Sequence, residues 1–141
     1  VPQQRGADAE AVKSGAAAFR SIGCASCHMP TLITGPSDIA VLANQVIHPY
    51  TDLLLHDMGD GLADGRPDFE ASGREWRTPP LWGVGLTEAV GGFARFLHDG
   101  RARSLDEAIL WHGGEAEAVK QAFIRFDQQQ RADLLAFLNS L

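Results

Sequence analysis

Residues 19–30 read "FRSIGCASCHMP" and hold both cysteines of a 141-residue chain. Cys24 and Cys27 stand three apart, and His28 follows directly. Two thiols and an imidazole in this order fit c-type haem attachment. If the stretch turns as a helix, Cys27 lies at i+3 and His28 at i+4 from Cys24, so all three share one face. The thiols can then take the two vinyl groups of a porphyrin while the imidazole takes the iron. Two rival uses of the pair carry requirements of their own. A zinc site would join Cys24 and Cys27 to two histidines among His28, His48, His56, His98 and His112, and would want a second paired cluster that the sequence does not offer. A redox-active dithiol would want a strand–helix–strand setting, whereas a helical pattern precedes these cysteines.

Moving outward, residues 8–23, "DAEAVKSGAAAFRSIG", predict a helix rich in alanine, with Asp8 as its cap and Gly23 as its stop. Gly15 and Phe19 lie four apart on one face. Residues 127–141 predict a second helix, with Asp127 and Gln130 forming a capping box and Leu134, Leu135, Leu138 and Leu141 recurring at helical spacing. Ser104 and Glu107 signal a third helix that runs to His112 and stops at Gly113-Gly114. A fourth covers 115–126. Between residues 30 and 103, "TGPSD", "HPYTD", "DMGDGLADGRPD" and "RTPPLWGVG" punctuate the chain, so long helices cannot run through it. A short extended piece fits 42–47. The expected architecture is mostly α, one domain over 1–141, with terminal helices crossing and a loop-rich middle wrapping one covalent haem c. Gly15 would let the C-terminal helix come close, and Phe19 would meet Phe137.

Composition narrows the function classes. Hydrophobic residues make up 45% of the chain, which suits a packed globule, and the formal charge of −6 argues against nucleic acid or an anionic membrane as partner. No apolar run approaches the roughly 20 residues that span a bilayer. Haem attachment at CxxCH takes place outside the cytoplasm, so a periplasmic or otherwise exported protein is expected.

The atom opposite His28 decides the chemistry. Of the two methionines, Met29 abuts His28 and cannot easily reach the other side of the ring. Met58, in "LLLHDMGDG", sits before a glycine-rich turn and is the favoured distal ligand. His/Met ligation raises the potential and favours electron transfer. His56 is the runner-up, and an open site that admits peroxide is third. In "EWRTPPLWG", residues 75–83, Trp76 and Trp82 bring flat surfaces, and Arg77 suits a haem propionate. His98 reads as a hydrogen-bonded structural histidine. Asp57, Asp60, Asp64 and Asp68 could offer oxygens to calcium, but their spacing is not that of an EF-hand loop.

Three longer runs carry a resemblance: "YTDLLLHDMGDGLADGRPDFEASGREWRTPPLWGVGL" (50–86), "FLHDGRARSLDEAILWHGGEAEAVKQAF" (96–123) and "LLAFLNSL" (134–141). Together with the cysteine motif, they make almost the whole chain resemble the C-terminal haem domain of the di-haem oxidoreductases, often labelled thiol oxidoreductases. Through "RTPPLWG" and "HDGRARSLDEAI" the chain is more distantly similar to bacterial di-haem cytochrome c peroxidases and MauG-like proteins. The resemblance implies a class I cytochrome c-like fold, periplasmic export, haem attachment at Cys24, Cys27 and His28, and Met58 as distal ligand through "LLHDMG". Family members carry two haem motifs, whereas this chain has one. The expected role is therefore electron transfer to a redox partner protein or a second haem domain. The alternative is a peroxidase-type oxidoreductase with an open or opening distal site, where His56 or His98 would serve as acid/base groups.

Overall fold

The computed structural model describes residues 3–141. Its regular structure is mostly helical, with α1 (Glu10–Ser21), α2 (Thr87–Gly91), α3 (Leu105–Trp111), α4 (Glu117–Ile124) and α5 (Gln128–Ser140). Four short strands form two antiparallel ribbons, β1 (Leu32–Ile33) with β2 (Val46–Ile47), and β3 (Leu55–Asp57) with β4 (Glu75–Arg77). The extended piece expected at 42–47 survives only at its end, because Leu42 closes a 3-10 turn over Ala40–Leu42.

The terminal helices form as the sequence reads, with one difference at the start. Ala9, not Asp8, is the N-cap of α1, and it makes no side-chain bond. At the other end Gly23 turns left-handed with φ +101°, a conformation that favours glycine, and the chain enters a single 3-10 turn over Cys24–Ser26. The α5 start is a full capping box. Asp127 accepts from the Gln130 N–H at 2.8 Å, and the Gln130 side chain accepts from the Asp127 N–H at 3.0 Å. On α3, Ser104 accepts from the Glu107 N–H, but the Glu107 carboxylate takes the Arg103 N–H instead of that of Ser104.

The core is built where α1 crosses α5. Val12, Gly15 and Phe19 of α1 face Leu134, Phe137 and Leu138 of α5, with Leu141 and Phe123 closing the cluster. Phe137 and Leu134 are each only 1% exposed, and full burial of a side chain this size stabilises by about 1.5–3 kcal/mol. Gly15 sets the separation. A Cβ there would run into the Asp133 carbonyl and lie 2.7 Å from the Phe137 Cβ. One turn on, the Phe19 and Phe137 rings meet at 5.2 Å, and Tyr50 wedges against both at 6.0 and 5.8 Å. Tyr50 belongs to the middle segment, so this wedge joins the helix crossing to the loops.

Buried threonines pin those loops. Thr51 donates through Oγ1 to the Thr78 carbonyl at 2.6 Å and accepts from the Leu53 N–H at 2.9 Å, while its own N–H reaches the Met29 carbonyl at 3.0 Å. Loops with little regular structure thus keep their polar groups paired.

Replacing Gly15 with alanine tests the crossing. Alanine raises helix propensity by about 1 kcal/mol, but overpacking costs about 1–3 kcal/mol, and the backbone contact leaves no route for relief. Gly15→Ala is expected to lower the free energy of denaturant unfolding, while Ala17→Gly, on the exposed face of α1, changes it only by its propensity. An unchanged or stabilised Gly15→Ala protein would show that the helices do not meet this closely.

Candidate functional site

His28 closes the turn that carries the cysteines, its N–H bonding the Cys24 carbonyl at 3.0 Å. Cys24, Cys27 and His28 therefore sit together on one turn, as their spacing implies. The His28 ring donates from Nδ1 to the Tyr50 carbonyl at 3.2 Å. Tyr50 aims that carbonyl from a left-handed backbone, φ +56°, which a bulky residue adopts only at a cost of order 1–2 kcal/mol. With Nδ1 held, Nε2 is the nitrogen left for a metal. Burial, followed by the neighbouring His112, pushes the His28 pKa down to about 4, so the ring is neutral at physiological pH.

Both cysteines are free thiols and partly accessible. Burial pushes Cys24 up to about 11. Burial, followed by the Asp52 and Glu115 carboxylates, pushes Cys27 up as well. A redox-active dithiol needs the opposite, a lowered thiol.

His56 lies at the centre of a charged clasp. Its Nδ1 meets Glu115 Oε2 and its Nε2 meets Asp52 Oδ2, both at 2.8 Å, and Cys27 Sγ lies 3.8 Å from Nδ1. The other Glu115 oxygen accepts the Asp57 N–H at 2.9 Å, which staples the segment after α3 onto β3. Cys27, Asp52 and His56 bring ligand atoms within 4.8 Å of one another. Cys24 stands outside this group, so the two-cysteine zinc site is not assembled among the described residues. With both ring nitrogens occupied, His56 has none to spare for iron.

The other predicted residues distribute as follows. Trp76 is half-buried, donates from Nε1 to the Leu62 carbonyl at 3.0 Å, and stacks on His98 with ring centres 3.5 Å apart and planes 8° off parallel. That stack, with an Asp99 oxygen 3.7 Å from its Nε2, makes His98 a structural histidine. Arg77 is exposed on β4 with no ion-pair partner among the described residues, and Trp82 is exposed. Arg74 pairs with Asp57 at 3.2 Å and Asp60 at 3.1 Å, so these two carboxylates already have a counter-charge within the chain. Met58 follows β3. Its N–H bonds the Arg74 carbonyl at 2.9 Å, and its own carbonyl packs against Gly113.

That last contact brings in a residue that sequence reasoning considered only for zinc. His112 caps the C-terminus of α3, and its Nδ1 donates to the Ala108 carbonyl at 2.8 Å. Its ring centre is 6.4 Å from that of His28, with the planes tilted by 50°. Burial lowers its pKa too, so it presents a second neutral imidazole. The one sequence signal was its position at a helix end before two glycines.

The donor set fits a haem. One turn supplies two protonated thiols and a neutral imidazole with a fixed tautomer, and metal ligation requires that the imidazole be deprotonated.

A family model described as "Di-haem oxidoreductase, putative peroxidase" matches residues 1–141, and the chain belongs to that family. Searches of curated proteins and of solved structures gave no match to the chain.

The clasp predicts a pH dependence. The bonds to Glu115 and then Asp52 raise the His56 pKa, so its contribution to stability is full below about 6.5 and fades as pH climbs through the raised folded value. Burial works to raise Asp52, but bonds from Leu54, His56 and Thr78 outweigh it and hold the carboxyl low. The His56 bond lowers Glu115 as well. The carboxylate contributions are full above about 4–4.5 and fade as pH falls through the lowered folded values. The stability difference between wild type and His56→Gln should therefore peak between about pH 4.5 and 6.5 and shrink toward alkaline pH. A difference that stays flat across denaturant titrations from pH 5 to 9 would show that the clasp is not ionic.

Proposed function

We propose that this member of the di-haem oxidoreductase family is an electron-transfer domain of class I cytochrome c-like fold, carrying one haem c through Cys24, Cys27 and His28. The observation that carries the reading is the bond between His28 Nδ1 and the Tyr50 carbonyl, which leaves a neutral Nε2 beside two thiols on the same turn. When bound, the haem supplies one-electron iron chemistry. The chain's own residues do the rest. Cys24 and Cys27 hold the porphyrin edge by thioether bonds. Tyr50 and the Phe19–Phe137 wedge fix the plane and tautomer of His28. Arg77, an exposed guanidinium without a carboxylate partner among the described residues, is assigned to a propionate.

Electron transfer is preferred over peroxide chemistry because both histidines that could act as acid/base groups are engaged. His56 is bonded through both nitrogens, and His98 is stacked on Trp76. The partner is a redox protein or a second haem domain, the latter in keeping with a family named for two haems. Among the described residues no helix is long and apolar enough to cross a membrane. Because thioether attachment of haem is made outside the cytoplasm, this reading carries with it a periplasmic or otherwise exported location.

Expressed with a haem-attachment system, the wild-type chain should retain haem through acid extraction and titrate as a one-electron couple without peroxide turnover. Cys24→Ala and Cys27→Ala should each impair attachment, and the double variant should abolish it. A chain that folds without haem, or that turns over peroxide at an enzyme's rate, would overturn this function.

A further inference from the structure

We propose that His112 is the second axial ligand of the haem iron, so that two imidazoles, His28 and His112, grip the metal. The inference rests on the haem reading above and concerns the same site. Both rings are oriented alike by the main chain, His28 through the Tyr50 carbonyl and His112 through the Ala108 carbonyl, and each is left with Nε2 as its available nitrogen. A metal held at about 2.0–2.1 Å from a nitrogen of each ring would set the ring centres about 6–6.5 Å apart. The observed separation is 6.4 Å. Two side chains that bonded each other directly, or packed ring on ring, would sit closer than this. The 50° tilt between the planes is compatible with two rings that share one axis.

The rivals are placed less well. His56 has no vacant nitrogen, and His98 is committed to Trp76. His48 is exposed and its Nδ1 faces Thr31 and Pro30. Met58 reaches the same neighbourhood, but the contact there is made by its backbone against Gly113, and this contact fixes the segment that follows His112. Glu115 reinforces the placement through its bond to the Asp57 N–H. The ring of His112 is therefore presented from a helix end and a stapled turn. A thioether opposite His28 would raise the potential, whereas a second imidazole gives a lower one and leaves no coordination position for peroxide.

The test uses the full chain with haem attached and reads spectra and potential. Wild type is expected to be low-spin in the ferric state without the far-red sulfur-to-iron band, and Met58→Ala to keep that spectrum. His112→Ala should lose the wild-type low-spin signal, and added imidazole should restore it. His112→Met should gain the sulfur band and shift the potential upward. Imidazole rescue separates loss of a ligand from loss of the fold. A sulfur band in wild type that Met58→Ala abolishes, or a His112→Ala spectrum identical to wild type, would overturn the assignment while leaving the haem domain intact. A chain that never retains haem would overturn the haem reading itself, and this assignment with it.

Discussion

One hydrogen bond, from His28 Nδ1 to the Tyr50 carbonyl, carries the architecture of the site. It requires a carbonyl aimed at the ring from behind, and the backbone that supplies it is left-handed at Tyr50. That conformation is unfavourable alone. It is held because the tyrosine ring is locked against Phe19 and Phe137, where α1 and α5 cross. The crossing in turn needs a residue without a side chain at position 15. A steric fact in the first helix is thus transmitted through three aromatic rings to the nitrogen that stays available for a metal.

The middle of the chain is ordered by a different kind of contact. Its strands are two or three residues long, too short to hold by pairing alone. Point contacts take their place. Thr51 ties three loops together, and Glu115 joins the turn after α3 to β3 with both of its oxygens. This leaves apolar side chains in solvent along the first ribbon and its connecting loop, among them Ile33, Val41 and Val46. Packed helices and tethered loops divide the labour: the former fix one imidazole, the latter position the other.

What was legible in the sequence follows from locality. The Asp127–Gln130 box, the Ser104 cap, the Gly23 stop and the cysteine turn are all decided within five residues, and the structure has them. The meeting of Gly15 and Phe19 with α5 was readable because a small and a large residue four apart mark a close helix face. Asp8 failed as a cap because the helix began later, with Ala9 in the capping position. The β3–β4 ribbon was missed because its partners are far apart and neither alternates for long enough to show a period. His56 read as a spare ligand because nothing local reveals that one carboxylate from Asp52 and another from Glu115 converge on it. His112 was hidden for the same reason, since its neighbour across the site lies near the other end of the chain. The mostly helical character was thus visible, and so was the turn that gathers Cys24, Cys27 and His28. The approach of His112 to His28, made by long-range convergence, was not.

Where the segment after Met58 meets the segment after His112, main chain lies against main chain. A methyl group on Gly59 would stand 2.9 Å from the Gly114 nitrogen, and one on Gly113 would stand 2.9 Å from the Met58 carbonyl. The atoms met at these shortest distances are main chain on both sides. A side chain added on one segment can be relieved only if the backbone of the other gives way, and that shift would carry Met58 or His112 with it.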